Sequence, residues 1–183
     1  SVFITNKKLS IKRTTNINNL ALLTKYRFTF GSENSTSGRL MPQYFLNIAG
    51  VELTDFNRQT VGFSGSHDAT LALVNSGAYD VGVLNKQVWD RNKKKNPTRV
   101  KNATIFFITP SYVDYHWLAQ GGLDQKFRNG FTKELREVII NLNPKIESQK
   151  LILEMFNAKK FIKAISEDYK EIEFIARKLK KIR

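Results

Sequence analysis

The chain has 183 residues, 41% of them hydrophobic and 13 of them Phe, enough for one ordinary domain or two small lobes and too apolar for wholesale disorder. It has no cysteine, which excludes a disulfide framework and a thiolate metal site, and its two histidines, His67 and His116, are too few for a His-only metal cluster. Lys and Arg number 30 against 16 Asp and Glu, a formal charge of +14, which points to nucleic acid, an anionic surface or a small anionic ligand.

The basic residues concentrate at Asn92 to Lys95 and at Lys178 to Arg183. Neither cluster is interleaved with the aromatic rings of a single-strand binder. The apolar runs fall far short of a membrane span. No signal peptide is visible, although a processed or truncated chain would show none.

In chain order, Ser1 to Asn6 reads as a strand and Lys7 to Asn16 as a polar loop. Asn18 or Asn19 caps a short helix through Leu23. Lys25 to Phe30 is a strand, followed by the polar junction Gly31 to Gly38. Arg39 to Ala49 reads as a helix, with Met41, Phe45 and Ile48 at helical spacing, Pro42 in its first turn and Gly50 as a stop. Glu52 to Asn57 is a connector and Arg58 to Phe63 a short strand. A second polar junction, Ser64-Gly65-Ser66-His67-Asp68, leads into a helix that ends at Ser76-Gly77.

Asp80 to Leu84 is a compact apolar strand, and Asn85 to Arg91 a short helix carrying Trp89. Asn92 to Asn96 reads as a charged surface turn closed by Pro97. Ala103 to Thr109 is a continuous apolar strand, Pro110 to Asp114 a turn, and Tyr115 to Ala119 a second extended piece. From Asp124 onward the period is helical. Phe127 to Leu142, Ile146 to Asn157, Phe161 to Ile165 and Tyr169 to Ile182 each read as amphipathic helix. Alternating strands and helices followed by helices alone predict an α/β lobe plus a helical segment that packs elsewhere.

Two strand-to-helix junctions carry the chemistry. Ser35-Thr36-Ser37-Gly38 offers hydroxyls and backbone N–H groups at a helix start, where the dipole favours anions. Ser66-His67 offers an imidazole at a second helix start. In an open α/β sheet both lie at the carboxyl edge of the strands, where ligands gather. Together they can surround a tetrahedral oxyanion; each alone also reads as an ordinary cap. Asp80 reads either as a turn acid or as a group that orients His67 or meets a cationic part of a ligand. Asn85 is a neutral donor after its strand. Tyr112, Tyr115 and Trp117 read as an aromatic wall or as core. Nothing reads as catalytic. There is no nucleophile elbow, no phosphate-binding Gly-Lys-Ser/Thr loop and no His-Glu-x-x-His, and contiguous Ser66-His67-Asp68 cannot align as a triad.

These segments resemble the substrate-binding proteins of phosphate, phosphite and phosphonate ABC transporters. The likeness rests on Phe28 to Ser32 through Ser35-Thr36-Ser37-Gly38, on Phe63 to Ala69, on Tyr79 to Asn85 with Val88-Trp89, and on Thr109 to Tyr112 through Trp117. It implies a periplasmic binding protein-like type II α/β fold. Residues 1–12 would be a crossover strand and hinge, 13–103 the second βα lobe, 104–119 the return crossover and 120–183 the C-terminal helices of the first lobe. It implies that Ser35, Thr36, Ser37 and His67 grip phosphoryl oxygens, with Asn85 facing the ligand and Gly38, Ser66, Asp80, Tyr112 and Tyr115 as secondary candidates. Asn85 cannot neutralise an amino group, which tilts the expectation toward phosphate, phosphite or a small alkylphosphonate.

The same likeness implies an extracytoplasmic solute-binding component, lipid-anchored in its full-length form, with an ABC permease as partner and with no cofactor or metal. Family members carry further residues before the strand that Ser1 to Asn6 resembles, completing the first lobe. Their absence predicts exposed apolar surface, a complementing half-lobe or self-association. The competing readings are a truncated, non-transporting paralogue and a basic protein that binds nucleic acid or an anionic surface through Lys178 to Arg183.

Overall fold

The structure is a computed structural model that describes residues 1–56 and 61–182. Its sheet is built from β1 (Val2–Asn6), β2 (Phe28–Phe30), β3 (Gly62–Phe63), β4 (Val81–Leu84) and β5 (Ala103–Ile108), in the order β3-β2-β4-β1-β5. β2 is parallel to β3 and β4, and β1 runs antiparallel to β4 and β5. The carboxyl ends of β2 to β5 therefore share one edge with the amino end of β1.

Side chains alternate between the two sheet faces, as a strand period of two requires. On β1, Phe3 joins one core cluster with Phe28, Phe30, Val81 and Val83, while Val2 and Ile4 join another with Leu71, Val74 and Trp89. Helix α1 (Met41–Ile48) contributes Met41, Phe45 and Leu46 to the first cluster. Helices α2 (His67–Ser76) and α3 (Lys86–Lys95) cover the second. Helix α2 lies so close to β4 that a Cβ on Gly82 would come within 2.6 Å of Thr70 Cγ2, which is why the strand has glycine there.

The described residues form two compact units, 1–114 with 170–182, and 115–169. The second unit holds α4 (Leu123–Lys126), α5 (Phe131–Ile140) and α6 (Glu147–Met155). Within it Trp117 packs edge-on against Phe156 and Phe161. Leu118, Val138, Met155 and Ile162 are exposed. Helix α7 (Lys170–Lys178) belongs to the first unit, where Ile175 is buried in the first cluster.

Several elements differ from the expectation. The short helix is a 3-10 helix over Ile17–Lys25, capped by Asn16 rather than Asn18 or Asn19. Helix α3 runs on through Lys93–Lys95, where a surface turn was expected; lysines in a last helical turn suit the dipole. Tyr115 to Ala119 forms no strand and Phe161 to Ile165 no helix. Trp117 and Phe161 are instead held by ring contacts, which need no regular backbone. Of the strand expected over Arg58 to Phe63, Gly62–Phe63 is observed, and residues 58–60 lie outside the described residues.

Candidate anion-binding site

The first junction starts where β2 ends. Gly31 donates its N–H to the Gly38 carbonyl at 2.9 Å and closes the loop on itself. Thr36–Leu40 then winds as a π-helical turn leading into α1. Its first backbone bond runs from the Leu40 N–H to the Ser35 carbonyl at 3.0 Å. The Thr36 and Ser37 amides precede that donor, so the helix ladder leaves them for another acceptor. Ser35 is the cap, its hydroxyl accepting from the Gly38 N–H at 2.9 Å. Glycine at 38 is required by close approach: a Cβ there would lie 2.9 Å from Ser35 Oγ and 3.1 Å from His67 Cε1.

The second junction is carried alongside by the sheet. Beyond paired Phe30 and Phe63, the Ser64 N–H donates to the Phe30 carbonyl and the Gly65 N–H to the Gly31 carbonyl. Ser66 caps α2 by accepting from the Ala69 N–H at 3.1 Å. His67 is then the first helical residue, and its ring turns back to the first junction. Ser37 Oγ lies 3.4 Å from His67 Nε2.

A third element completes the cluster. Asn85, directly after β4, donates its backbone N–H to His67 Nδ1 at 3.3 Å. Accepting that bond takes the Nδ1 lone pair, so the ring is neutral with its proton on Nε2. Burial acts in the same direction, lowering the His67 pKa, while Asp114 and Asp68 oppose it. The Asn85 side chain donates from Nδ2 to Ser37 Oγ at 3.3 Å and to Asp114 Oδ2 at 2.8 Å. Asp114 also accepts a side-chain hydrogen bond from Ser37, yet burial dominates and pushes its pKa up.

Ser37, His67, Asn85 and Asp114 thus form one connected polar cluster at the carboxyl edge of the sheet. Ser37 and Asn85 are buried, and His67 and Asp114 partly so. Ser35, Thr36 and Gly38 belong to the same turn, and Ser66 holds the helix that carries His67. Tyr112 approaches from the chain leaving β5: its hydroxyl meets Ser1 Oγ, which donates to the Ser37 carbonyl at 2.7 Å.

Two candidates are placed elsewhere. Asp80 precedes β4, at the opposite end of the strand from Asn85, and pairs with Arg27. Arg27 Nε and Nη2 reach its two oxygens at 3.0 and 2.8 Å, and this contact holds the Asp80 pKa down. The expectation that Asp80 orients His67 is therefore corrected; it is the turn acid. Tyr115 falls in the second unit and is exposed, as is Trp117, which packs on Phe156 and Phe161. Asp114 is the residue that sequence reasoning missed. It lies 29 residues after Asn85 in an irregular stretch, and only the return of β5 to the same edge brings the two together.

The arrangement suits an anion that carries a proton. Two amides, a neutral imidazole N–H and hydroxyls are available as donors, and one carboxylate as an acceptor. Among the described residues there is no group of three or more His, Cys, Asp or Glu side chains placed to hold a metal ion.

Residues 1–169 match the family model for the phosphonate periplasmic substrate-binding protein of ABC transporters. The chain is 63% identical over its full length to a probable ABC transporter phosphite-binding protein, PhnD1, of Prochlorococcus marinus (strain MIT 9301), and spans 62% of that relative's length. The structure of Prochlorococcus marinus PhnD1 in complex with methylphosphonate superimposes with a TM-score of 0.96 at 63% identity, over 99% of this chain and 66% of that one. A binding-protein component of a Pseudomonas aeruginosa ABC phosphonate transporter shares the fold at 20% identity and a TM-score of 0.70, over 95% of this chain and 55% of that one.

Proposed function

Because the chain belongs to the family of periplasmic substrate-binding proteins of phosphonate ABC transporters, we propose that it is a solute-binding component of an importer for a small phosphorus oxyanion: phosphite, phosphate or an alkylphosphonate. The observation that carries this reading is the meeting of two helix starts, with Ser37 Oγ 3.4 Å from His67 Nε2. The Thr36 and Ser37 amides and the His67 Nε2–H donate to the oxygens, and Ser35, Gly38 and Ser66 hold the two turns in place. Hydrogen bonds to a charged partner are worth about 1.5–3 kcal/mol each, so a few of them offset the desolvation of a small anion. The bound anion replaces some of the bonds that Ser37 and Asn85 make to each other.

Asp114 sets the selectivity. A carboxylate repels a fully ionised anion and accepts a hydrogen bond from a P–OH group. Sulfate, which carries no such proton near neutral pH, is disfavoured. Asn85 brings no charge, and Asp114 is already engaged by Asn85 and Ser37. An aminophosphonate ammonium group therefore finds no dedicated partner here.

The family's extracytoplasmic setting and an ABC permease partner go with this function. The exposed apolar residues of the second unit support a covering partner, either further residues of a first lobe or a second copy of the chain. Isothermal titration calorimetry tests the reading. Methylphosphonate, phosphite and phosphate are each titrated, with sulfate as the comparison. We expect saturable one-to-one heats from at least one phosphorus anion and a weaker response to sulfate. Absence of binding by all three phosphorus anions, or binding of sulfate as tight as theirs, overturns it.

A further inference from the structure

Lysines gather on the sheet edge opposite the anion seat. Strand β1 is antiparallel to β4, so Asn6 and Lys7 lie at the end of the sheet away from Asn85. The Asn6 N–H donates to the Asp80 carbonyl, and the Lys7 N–H to the Asn102 carbonyl at 2.8 Å. Helix α3 starts beside the seat, and its rise carries Lys93–Lys95 about 10 to 14 Å away along the axis. A groove at that end is lined by Lys7, Lys93 and Lys101 over a floor that includes Trp89, Pro97 and Val100.

The neighbouring charges divide into two sets. Arg91 and Arg99 pair with Asp68 at 3.4 and 3.1 Å, and Lys86 pairs with Asp90. Asp90 is the only acid in the sequence between Lys86 and Lys101. Lys7, Lys93, Lys94, Lys95 and Lys101 are all exposed. Asp80 at the same end is matched by Arg27, so these lysines give the back of the lobe a net positive charge.

We propose that this lysine edge docks the protein on an anionic lipid surface. The composition separates this partner from the others that positive charge attracts. Protein interfaces are depleted in Lys and enriched in Arg and aromatic residues; here the arginines are tied to Asp68. Single-stranded nucleic acid needs rings to stack on, and Trp89 is buried at 5% exposure in the groove floor. Long, flexible, strongly hydrated ammonium groups without fixed geometry suit a diffuse negative surface. Because the edge is the one opposite the seat, docking leaves the Ser37 and His67 cluster open to solute.

Each basic residue near an anionic bilayer raises partitioning by about fivefold, and salt screens the effect. Cosedimentation with vesicles tests the proposal, using equimolar phosphatidylcholine and phosphatidylglycerol against phosphatidylcholine alone. The chain is expected to bind the anionic vesicles at low salt, release them at high salt and ignore the neutral ones. The triple variant Lys93→Gln, Lys94→Gln, Lys95→Gln is expected to lose at least about tenfold in partitioning. Lys7→Gln with Lys101→Gln, which leaves α3 untouched, is expected to weaken binding in the same direction. Lys178→Gln, Lys180→Gln and Lys181→Gln removes the same charge from the C-terminal cluster and is expected to cost much less. Equal losses from the two triple variants would mean that net charge alone drives binding, and the proposal falls. It falls equally if the C-terminal variant loses more, if neutral vesicles bind as well, or if the chain ignores anionic vesicles at low salt, whether or not an acidic polypeptide retains it.

Discussion

Replacing His67 with alanine is expected to weaken methylphosphonate binding by roughly 10- to 100-fold, the loss of one hydrogen bond from a neutral donor to a charged acceptor. The Asn85 N–H holds Nδ1 as an acceptor at 3.3 Å, so the ring's one proton sits on Nε2, beside Ser37 Oγ. Calorimetry on both proteins measures the change, and an unaltered affinity would remove His67 from the site. The same substitution also changes how stability depends on pH. Burial lowers the His67 pKa below its ordinary 6.5. As the pH falls below that value the unfolded chain takes up a proton that the folded chain refuses. The unfolded state then binds more protons, and stability is lost through that window. Denaturant melts at neutral and mildly acidic pH should show this loss in the parent chain, and less of it in His67→Ala.

Asp114→Asn is expected to act in the opposite sense on affinity. Its carboxylate lies 2.8 Å from Asn85 Nδ2, within the cluster proposed to take the anion. Two like charges about 4 Å apart repel by roughly 4 kcal/mol at an effective dielectric constant of 20, of which solvent and rearrangement leave a fraction. We expect sulfate binding to strengthen by about tenfold or more, and the preference for a protonated phosphorus anion over sulfate to shrink. Calorimetry with both anions decides; an unchanged preference would show that Asp114 does not set selectivity. Asparagine keeps an oxygen to accept from Asn85 and Ser37, so the local bonds survive.

Stability gives a second check on Asp114. Burial raises its pKa above the ordinary 3.8, so between that value and the folded pKa the folded state holds a proton that the unfolded state has released. Stability therefore falls as the pH rises through that window, and the ionised carboxylate is a cost above it. Asp114→Asn removes the cost, and its melting temperature at neutral pH should exceed that of the parent.

The two joints were legible because the rules that make them are local. An apolar strand, a Gly- and Ser-containing turn and a helical period are each written within about a dozen residues. Parallel β2 adds the rest, since its pairing with β3 and β4 sets the edge at which Ser37, His67 and Asn85 meet. What was not legible depends on long-range pairing. Asp80 and Asp114 are both acids beside strands, and no spacing tells which will meet an arginine and which a seat of donors. Fifty-three positions separate Arg27 from Asp80, and their fork forms only because β2 and β4 are neighbours.

Helix ends depend on packing for a related reason. Lysines read as a polar turn, yet Lys93–Lys95 continue α3 because Trp89 and Asn92 are buried and the chain stops only at Asn96-Pro97. Phe161 to Ile165 has the spacing of a helix but no helical backbone, and Phe161 packs against Trp117 and Phe156.

In the proposed function one small ion engages both joints at once. Amide and imidazole NMR signals followed during titration with methylphosphonate give the most direct answer. The Thr36 and Ser37 amides and the His67 Nε2–H should shift together and saturate at a single dissociation constant. Movement of one joint while the other stays still, or saturation of the two at different concentrations, would contradict a shared seat.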